Sequence, residues 1–542
     1  MSLNFAAKGG KSTEAAKQAL HDSIVTHNPS LAKQLLGEKN WRANYYKWMM
    51  VVNATMLRSP AICIHAATAG LHSLRTSFQL NQTPLAQVEK RLPCTPALAT
   101  TTVHGKGLET EFTCPMNGTK HTLSSLAHEM QRLVERGAAE PSAHQAVQRL
   151  ANNPQWLSKH DLSAYTFAIL GAGSQMGPCK TLLNRGATVL AVDLKGREEM
   201  WDALSQYARQ TPGTLVIPMS HNSPENIRGC DILSDFEAIA RWIVKNSRGK
   251  RIVIGGFLYA DGALFSRIAV AADAVIDAVC TLRSDTALIS LCSPTEVFSV
   301  PKAANEEATQ RYTALSIHTP WLRAVGLLSK QRYLEQNVPE QIHAEGTDDV
   351  FLLQDSQVWQ QGPNYAFAKL IQRWRNIVSR DAGHWVSSNV APASLTVSVM
   401  HNSLIRAGML GCQFFGIVPF EPSTSNSLMT ALALHDLKSK TSYANPNVVL
   451  KNPLNLFMDN AVHGGTWRCA YKTNSYTEVS AVLYGLQVAL PYAVVGGVGG
   501  WMGWKKMGGG VVVNCDNGRA ASVWDSRHMN VGCLGYRYYV YT

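Results

Sequence analysis

Tyr365 and Lys369 stand four residues apart in Tyr-Ala-Phe-Ala-Lys, one turn from each other on one face of a helix. The ammonium would favour phenolate and lower the phenol pKa. A phenol poised in that way can give or take the proton that accompanies hydride transfer to or from a carbonyl. Earlier in the chain, Gly171, Gly173 and Gly177 follow an apolar run in Gly-Ala-Gly-Ser-Gln-Met-Gly. Glycine suits a backbone that must turn sharply and approach a phosphate that a Cβ would obstruct. Asp193 comes 22 residues after Gly171, at the end of the next apolar run. A carboxylate there can bond both ribose hydroxyls of NAD and would repel the 2′-phosphate of NADP. Together these features describe a β-α-β unit able to receive a dinucleotide pyrophosphate on a helix N-terminus. The plainer alternative, a glycine-rich turn that binds nothing, uses the same glycines.

The elements that must position these groups can be read from periodicity. Apolar runs at 167–170, 187–192, 214–219, 251–257 and 287–291 alternate with helical segments at 197–209, 235–247 and 264–283. Short Val/Ile/Leu-rich strands alternating with helices predict an α/β fold, a parallel sheet doubly wound with helices on both faces. A polar, Gln-rich insertion at about 302–363, with short helices of its own, interrupts the rhythm. It resumes with a helix at 365–380, a strand at 385–390, a helix near 396–408, a strand at 412–418 and a helix at 424–436. Residues 1–158 form a mainly helical N-terminal region, with helices at 31–36, 41–56 and 123–149 broken by turns near 93–96 and 113–119. The stretch 41–74 is apolar enough for a buried helical hairpin or a membrane-surface element, while Arg42, Lys47, Arg58 and His65 argue against a span. Residues 159–480 make the nucleotide-binding domain, and 481–542 an apolar, Gly-rich tail. Within the tail, 482–504 is a candidate membrane segment with Lys505 and Lys506 as its basic flank; Gln487, Pro491 and the glycines at 496, 497, 499, 500 and 503 weaken it. The last stretch lacks periodicity and is expected to be irregular.

With these motifs in place, the chain resembles a divergent, extended-type short-chain dehydrogenase/reductase of the NAD(P)-binding Rossmann superfamily, over about residues 163–440. Gly171-Ala-Gly-Ser174-Gln175-Met176-Gly177 is similar to the family's glycine turn, with Gln175 in place of the middle glycine. Asp193 matches the acid of NAD-preferring members. Asp231-Ile232 resembles the adenine-side pair. Ser293-Pro-Thr295-Glu-Val-Phe is similar to the segment that carries the catalytic hydroxyl, Tyr365 and Lys369 to the catalytic pair, and Val-Ala-Pro392 to the nicotinamide loop, 27 residues beyond Tyr365. The resemblance implies NAD, in preference to NADP, as cofactor. It implies Tyr365 as general acid/base, with Lys369 depressing its pKa and holding the nicotinamide ribose. Ser293 or Thr295 would bond the substrate oxygen, since Pro294 at the aligned position has no hydroxyl. The family's Asn-Ala-Gly signature is missing, and Gly255-Gly256-Phe257-Leu258-Tyr259 stands there instead. A non-catalytic dinucleotide-binding sensor or scaffold is the rival reading.

Composition narrows the partners. A net charge of +12 is spread without a block of five Lys/Arg, which fits a weakly cationic surface and excludes a nucleic-acid footprint. Eleven cysteines without a Cys-x-x-Cys pair read as small core residues, as at Cys280, Cys292 and Cys412, in a reducing compartment. The expected setting is cytoplasmic, with the tail as a candidate membrane contact, and the expected partner a small molecule. The helical N-terminal region and apolar tail suggest a lipid-like or membrane-proximal carbonyl or alcohol. No metal is expected: the histidines show no His-x-x-x-His, and His121 and His128 fall on one amphipathic helix. Glu296 is either an acid/base beside the site or an exposed loop acid. The segment 463–468 is either a pocket wall or an ordinary turn.

Overall fold

The computed structural model describes residues 2–6, 10–88, 98–219, 227–318, 320–501 and, in the tail, 512–515, 519–522, 530–532 and 537–539. The expected turn at 93–96, the end of the tail segment at 502–504 and its flank at 505–506 lie outside these residues. A seven-stranded sheet organises the chain. Its strands are β1 (Ala99–His104), β2 (Tyr165–Leu170), β3 (Thr188–Val192), β4 (Thr214–Met219), β5 (Arg251–Gly256), β6 (Ala287–Cys292) and β7 (Trp385–Val390). Across the sheet they run β7-β6-β5-β2-β3-β4-β1. Every pairing is parallel except β4 with β1. The chain winds outward from β2 through β4, returns to β5 and winds the other way. The carboxyl ends of β2 and β5 therefore border a crevice where the connections part.

Both sheet faces are dry. On β2, Ala168 and Leu170 face one apolar layer, Phe167 and Ile169 the other. That is why these strands read as continuous apolar runs. The first layer holds helices Ile232–Asn246, Ala263–Leu282 and Pro363–Asp381, with Trp41–Leu57 and Pro60–Ser77 packed outside them as the expected helical hairpin. The second holds Cys179–Asn184, Glu198–Arg209 and Pro422–Asp436, with Leu123–Glu135 and Pro141–Asn152.

Several expectations need correction. The N-terminal region is not helical throughout: Ala99–His104 leaves it to extend the sheet, its alternating exposure marking a half-covered edge. The helix expected over 123–149 is two, because Gly137 takes φ +70° and Pro141 starts a new helix. His121 lies on a short strand, away from the helix that carries His128. The helix expected from 235 begins at Ile232, capped by Asp231. The insertion has, besides helices Lys302–His318 and Pro320–Leu328, a small antiparallel sheet of Val297–Val300, Val350–Asp355 and Glu340–His343. The helix near 396–408 is Val397–His401 and Ser403–Gly411, broken where Asn402 caps the second. The strand expected at 412–418 is a 3-10 turn, Cys412–Phe415, ended by Gly416 at φ +78°. Helix Thr473–Trp501 covers most of the candidate membrane segment, yet among the described residues no helix is long and apolar enough to cross a membrane. Beyond it the tail's described residues form two short antiparallel pairs.

Helix Pro363–Asp381 is tied into its layer by charge. Arg375 bonds Asp273 at 2.6 Å and Asp277 at 2.5 Å, and Arg75 bonds Asp273 from the N-terminal hairpin. Burial alone would raise the Asp273 pKa, but the two guanidiniums outweigh it and hold the carboxyl below its ordinary value of 3.8. Asp273→Asn would leave two buried cations underpaired. It should cost about 3–5 kcal/mol, read as earlier urea unfolding at neutral pH. Because the folded-state pKa is the lower one, this stabilisation is complete above the ordinary carboxylate value and is lost as pH falls through the folded value. The gap between parent and variant should therefore close in acid, and a gap that widens there would refute the ion pair.

Candidate functional site

The crevice begins at the turn after β2. Gly171 N–H and Ala172 N–H both donate to Val192 O, at 2.8 and 3.1 Å, folding the turn back over β3. Gly171 sits at φ +89°, and a Cβ there would come within 2.8 Å of Phe257 O, so glycine is required twice over. Gly173 N–H donates to Asp193 Oδ2 at 2.8 Å and Leu194 N–H to Oδ1 at 2.8 Å, aiming the carboxylate beneath the turn. Arg197 stands 3.7 Å from it. Gln175, in the middle-glycine position, turns its side chain aside: its Oε1 accepts from Val397 N–H at 3.0 Å. Asn426 braces the turn, donating to Gln175 O at 3.3 Å and to Gly177 O. The following helix is only Cys179–Asn184 and starts after Pro178. Its N-terminus is therefore a weaker electrostatic device than the sequence suggested, since the macrodipole grows with aligned peptides and Pro178 offers no N–H.

Opposite the turn, Tyr365 occupies the first turn of helix Pro363–Asp381 beside Ser293, just past the end of β6, close enough for the serine hydroxyl to act on the phenol's pKa. Ser293 and Thr295 hydroxyls meet at 2.7 Å, and Thr295 donates onward to Gln361 Oε1 at 2.7 Å. Of the two candidate hydroxyls, Ser293 is the one on the phenol and Thr295 stands behind it. Tyr259 and Phe265 flank the phenol ring, with centroids at 6.5 and 5.7 Å. Burial pushes the Tyr365 pKa well above its ordinary value; the Ser293 hydrogen bond pulls it back, and the nearby Glu296 and Cys292 push it further up. This corrects the expectation that Lys369 lowers it. The Lys369 ammonium donates to Leu291 O at 2.8 Å and Gln372 Oε1 at 3.2 Å, captured by a carbonyl of β6 at the depth its own helical turn reaches. Tyr365 is thus a neutral phenol at neutral pH.

One continuous cleft of about 1630 Å³ joins the two ends. It is lined by Gly171, Gly173, Ser174, Gln175, Met176, Asp193, Asp231, Ile232, Ser293, Thr295, Tyr365, Lys369 and Pro392. Gly177 does not line it and packs instead against Gly171 O, where a Cβ would lie 3.4 Å away. Asp231 serves first as a cap, accepting from Leu233 N–H at 2.9 Å while its own N–H donates to Asp235. Glu296 is no exposed acid: it is buried, with Oε1 accepting from Ser293 N–H at 2.6 Å, and burial raises its pKa. His463 is fully buried and bonds Glu140 at 3.0 Å, a structural pairing, whereas Thr466 of the same segment reaches the cleft.

Sequence reasoning missed Gln361, Gln372, Tyr259 and Phe265, along with the helices Ser403–Gly411 and Thr473–Trp501 that wall the far end. The Gly-Gly-Phe-Leu-Tyr run carried part of the signal, since it closes β5 and continues into the crevice. No protein-family model matches the chain, and no curated protein is significantly similar to it.

Gly171→Ala should lower stability by about 1–3 kcal/mol through backbone strain and the clash with Phe257 O, measured as a fall in melting temperature. Gly177→Ala should cost much less. Equal losses would contradict the different roles of the two glycines.

Proposed function

We propose that the protein is an NAD(H)-dependent oxidoreductase of short-chain dehydrogenase/reductase type that acts on a carbonyl or alcohol. One observation carries the reading: the Tyr365–Ser293 pair, with Lys369 one turn away, opens into the same cleft as the Gly171 turn and Asp193. The β7-β6-β5-β2-β3-β4 order supports it, because doubly wound Rossmann sheets bind dinucleotides where the strand order reverses.

The residues present fit such a cofactor at its ribose end. Asp193 is an acceptor held by two backbone N–H groups, suited to a diol and hostile to a phosphate. When bound, a nicotinamide group would supply or take the hydride. The chain's own part is proton and oxygen handling. Ser293 would bond the substrate oxygen and Tyr365 would pass its proton to it, and a phenol held neutral by burial suits the reducing direction. Lys369 would steady the floor through Leu291 O and Gln372.

The rival, a dinucleotide-binding protein without turnover, draws on the same lysine, whose ammonium is spent on the scaffold while Tyr365 lacks its help. Titration with NADH and assay against a panel of ketones separates the two. Tyr365→Phe should keep NADH binding and lose turnover by about 10²–10⁴-fold; parent protein that binds NADH and turns over nothing would favour the sensor. Asp193→Ala should weaken NADH and bring NADPH toward parity, and an unchanged preference would remove Asp193 from the cofactor site.

A further inference from the structure

We infer that the substrate is an uncharged, largely apolar alcohol or ketone whose body lies under the helices at the far end of the cleft. This rests on the reading of Ser293, Tyr365 and Lys369 as the reacting set.

The cleft is larger than a single compact ligand requires, which is about 300–1000 Å³, and its chemistry changes along its length. Asp193 and Asp231 line the turn end, and hydroxyls line the middle. After Pro392 in the chain the lining comes largely from two helices, through Leu404, Ile405, Met409, Tyr476, Ala481 and Val482, with Ser403, Thr473 and Thr477 as neutral hydroxyls among them. Among the lining residues after Pro392, Glu478 is the single charged side chain. A phosphorylated or carboxylate substrate placed against these two helices would meet apolar groups and neutral hydroxyls, with a carboxylate on one helix and no lining cation from either, a costly arrangement. An alkyl or ring body would instead exchange water for methyl and methylene contacts, each adding favourably.

These walls are built in advance. A Cβ on Gly411 would fall on Ser480 O, and one on Gly408 would lie 3.5 Å from Thr477 O, so the two helices meet backbone to backbone. Tyr476 stacks on Phe415 with ring centroids 5.1 Å apart, fixing the wall from behind. Buried Thr466 and Pro392 line the same cleft as the hydroxyl set.

The test uses the full chain in detergent-free buffer with cis-parinaryl alcohol as a fluorescent probe, and NADH binding measured separately. Saturable probe binding is expected. Lauryl alcohol should displace it, while laurate and a hexose phosphate should not. Met409→Glu and Ala481→Trp, each melting like the parent, should weaken the probe about tenfold or more and leave NADH binding unchanged. Absence of saturable binding, indifference of both folded variants, or displacement by laurate as readily as by lauryl alcohol would overturn the inference. If neither variant folds, the competition series alone decides. Probe binding without NADH binding would keep the apolar arm and end the dinucleotide reading; NADH binding without probe binding would do the reverse.

Discussion

Helix Pro363–Asp381 carries polar and charged side chains into a layer that excludes water, and four of them are held by partners inside the fold, although Arg373 Nε and Nη2 and Trp374 Nε1 make no hydrogen bond among the described residues. Lys369 reaches Leu291 O, Asn376 bonds Ser290 and Ser388 at 2.9 Å each, Arg373 bonds Val297 O at 2.7 Å, and Arg375 meets the two aspartates. Leaving any of these buried groups unmade costs more than the bond contributes, so together they admit one register of the helix on the sheet. That register brings Tyr365 to the end of β6. A slip of one residue would rotate the phenol away from Ser293 by about 100°. The position of the Tyr365 phenol is a by-product of satisfying buried polarity several turns away.

The same helix explains how an insertion of this size leaves the site intact. Between Val297 and Asp355 the chain builds a small sheet of its own, whose outer strands both pair with the middle one. It is then handed back through Gln357, whose side chain donates to Tyr46 O at 3.1 Å. The excursion closes on itself and returns the chain at Pro363, so the β6-to-β7 crossover keeps its helix where a parallel connection needs one.

Strands buried on both faces were the most legible part of the sequence. β2 to β6 fall within two residues of their apolar runs because a double-sided core selects apolar residues so consistently, while β7, Trp-Val-Ser-Ser-Asn-Val, is placed by its position between two helices. That Asp193 and Tyr365 border one cleft, with Ser293 or Thr295 near the phenol, was legible for a related reason, since turn, strand end and helix start are fixed by local punctuation. What escaped depended on partners distant in the chain. Ala99–His104 has an ordinary edge pattern, and only Thr214–Met219 makes it a strand of this sheet. The run at 412–418 looks extended by composition, but Gly411 and Gly416 let it curl tightly beneath Thr473–Trp501. The destination of Lys369 was out of reach for the same reason: spacing tells which face it shares with Tyr365, and a carbonyl on another element decides where the ammonium goes.

Gln175 offers a last consequence. Its carboxamide ties the turn after β2 to Val397, the first residue of the short helix that leads into the cleft's far wall. The glycine turn and the start of the far wall thus meet through a single carboxamide. The two ends of the cleft are thereby fastened to each other by one side chain, so neither wall is built independently of the other.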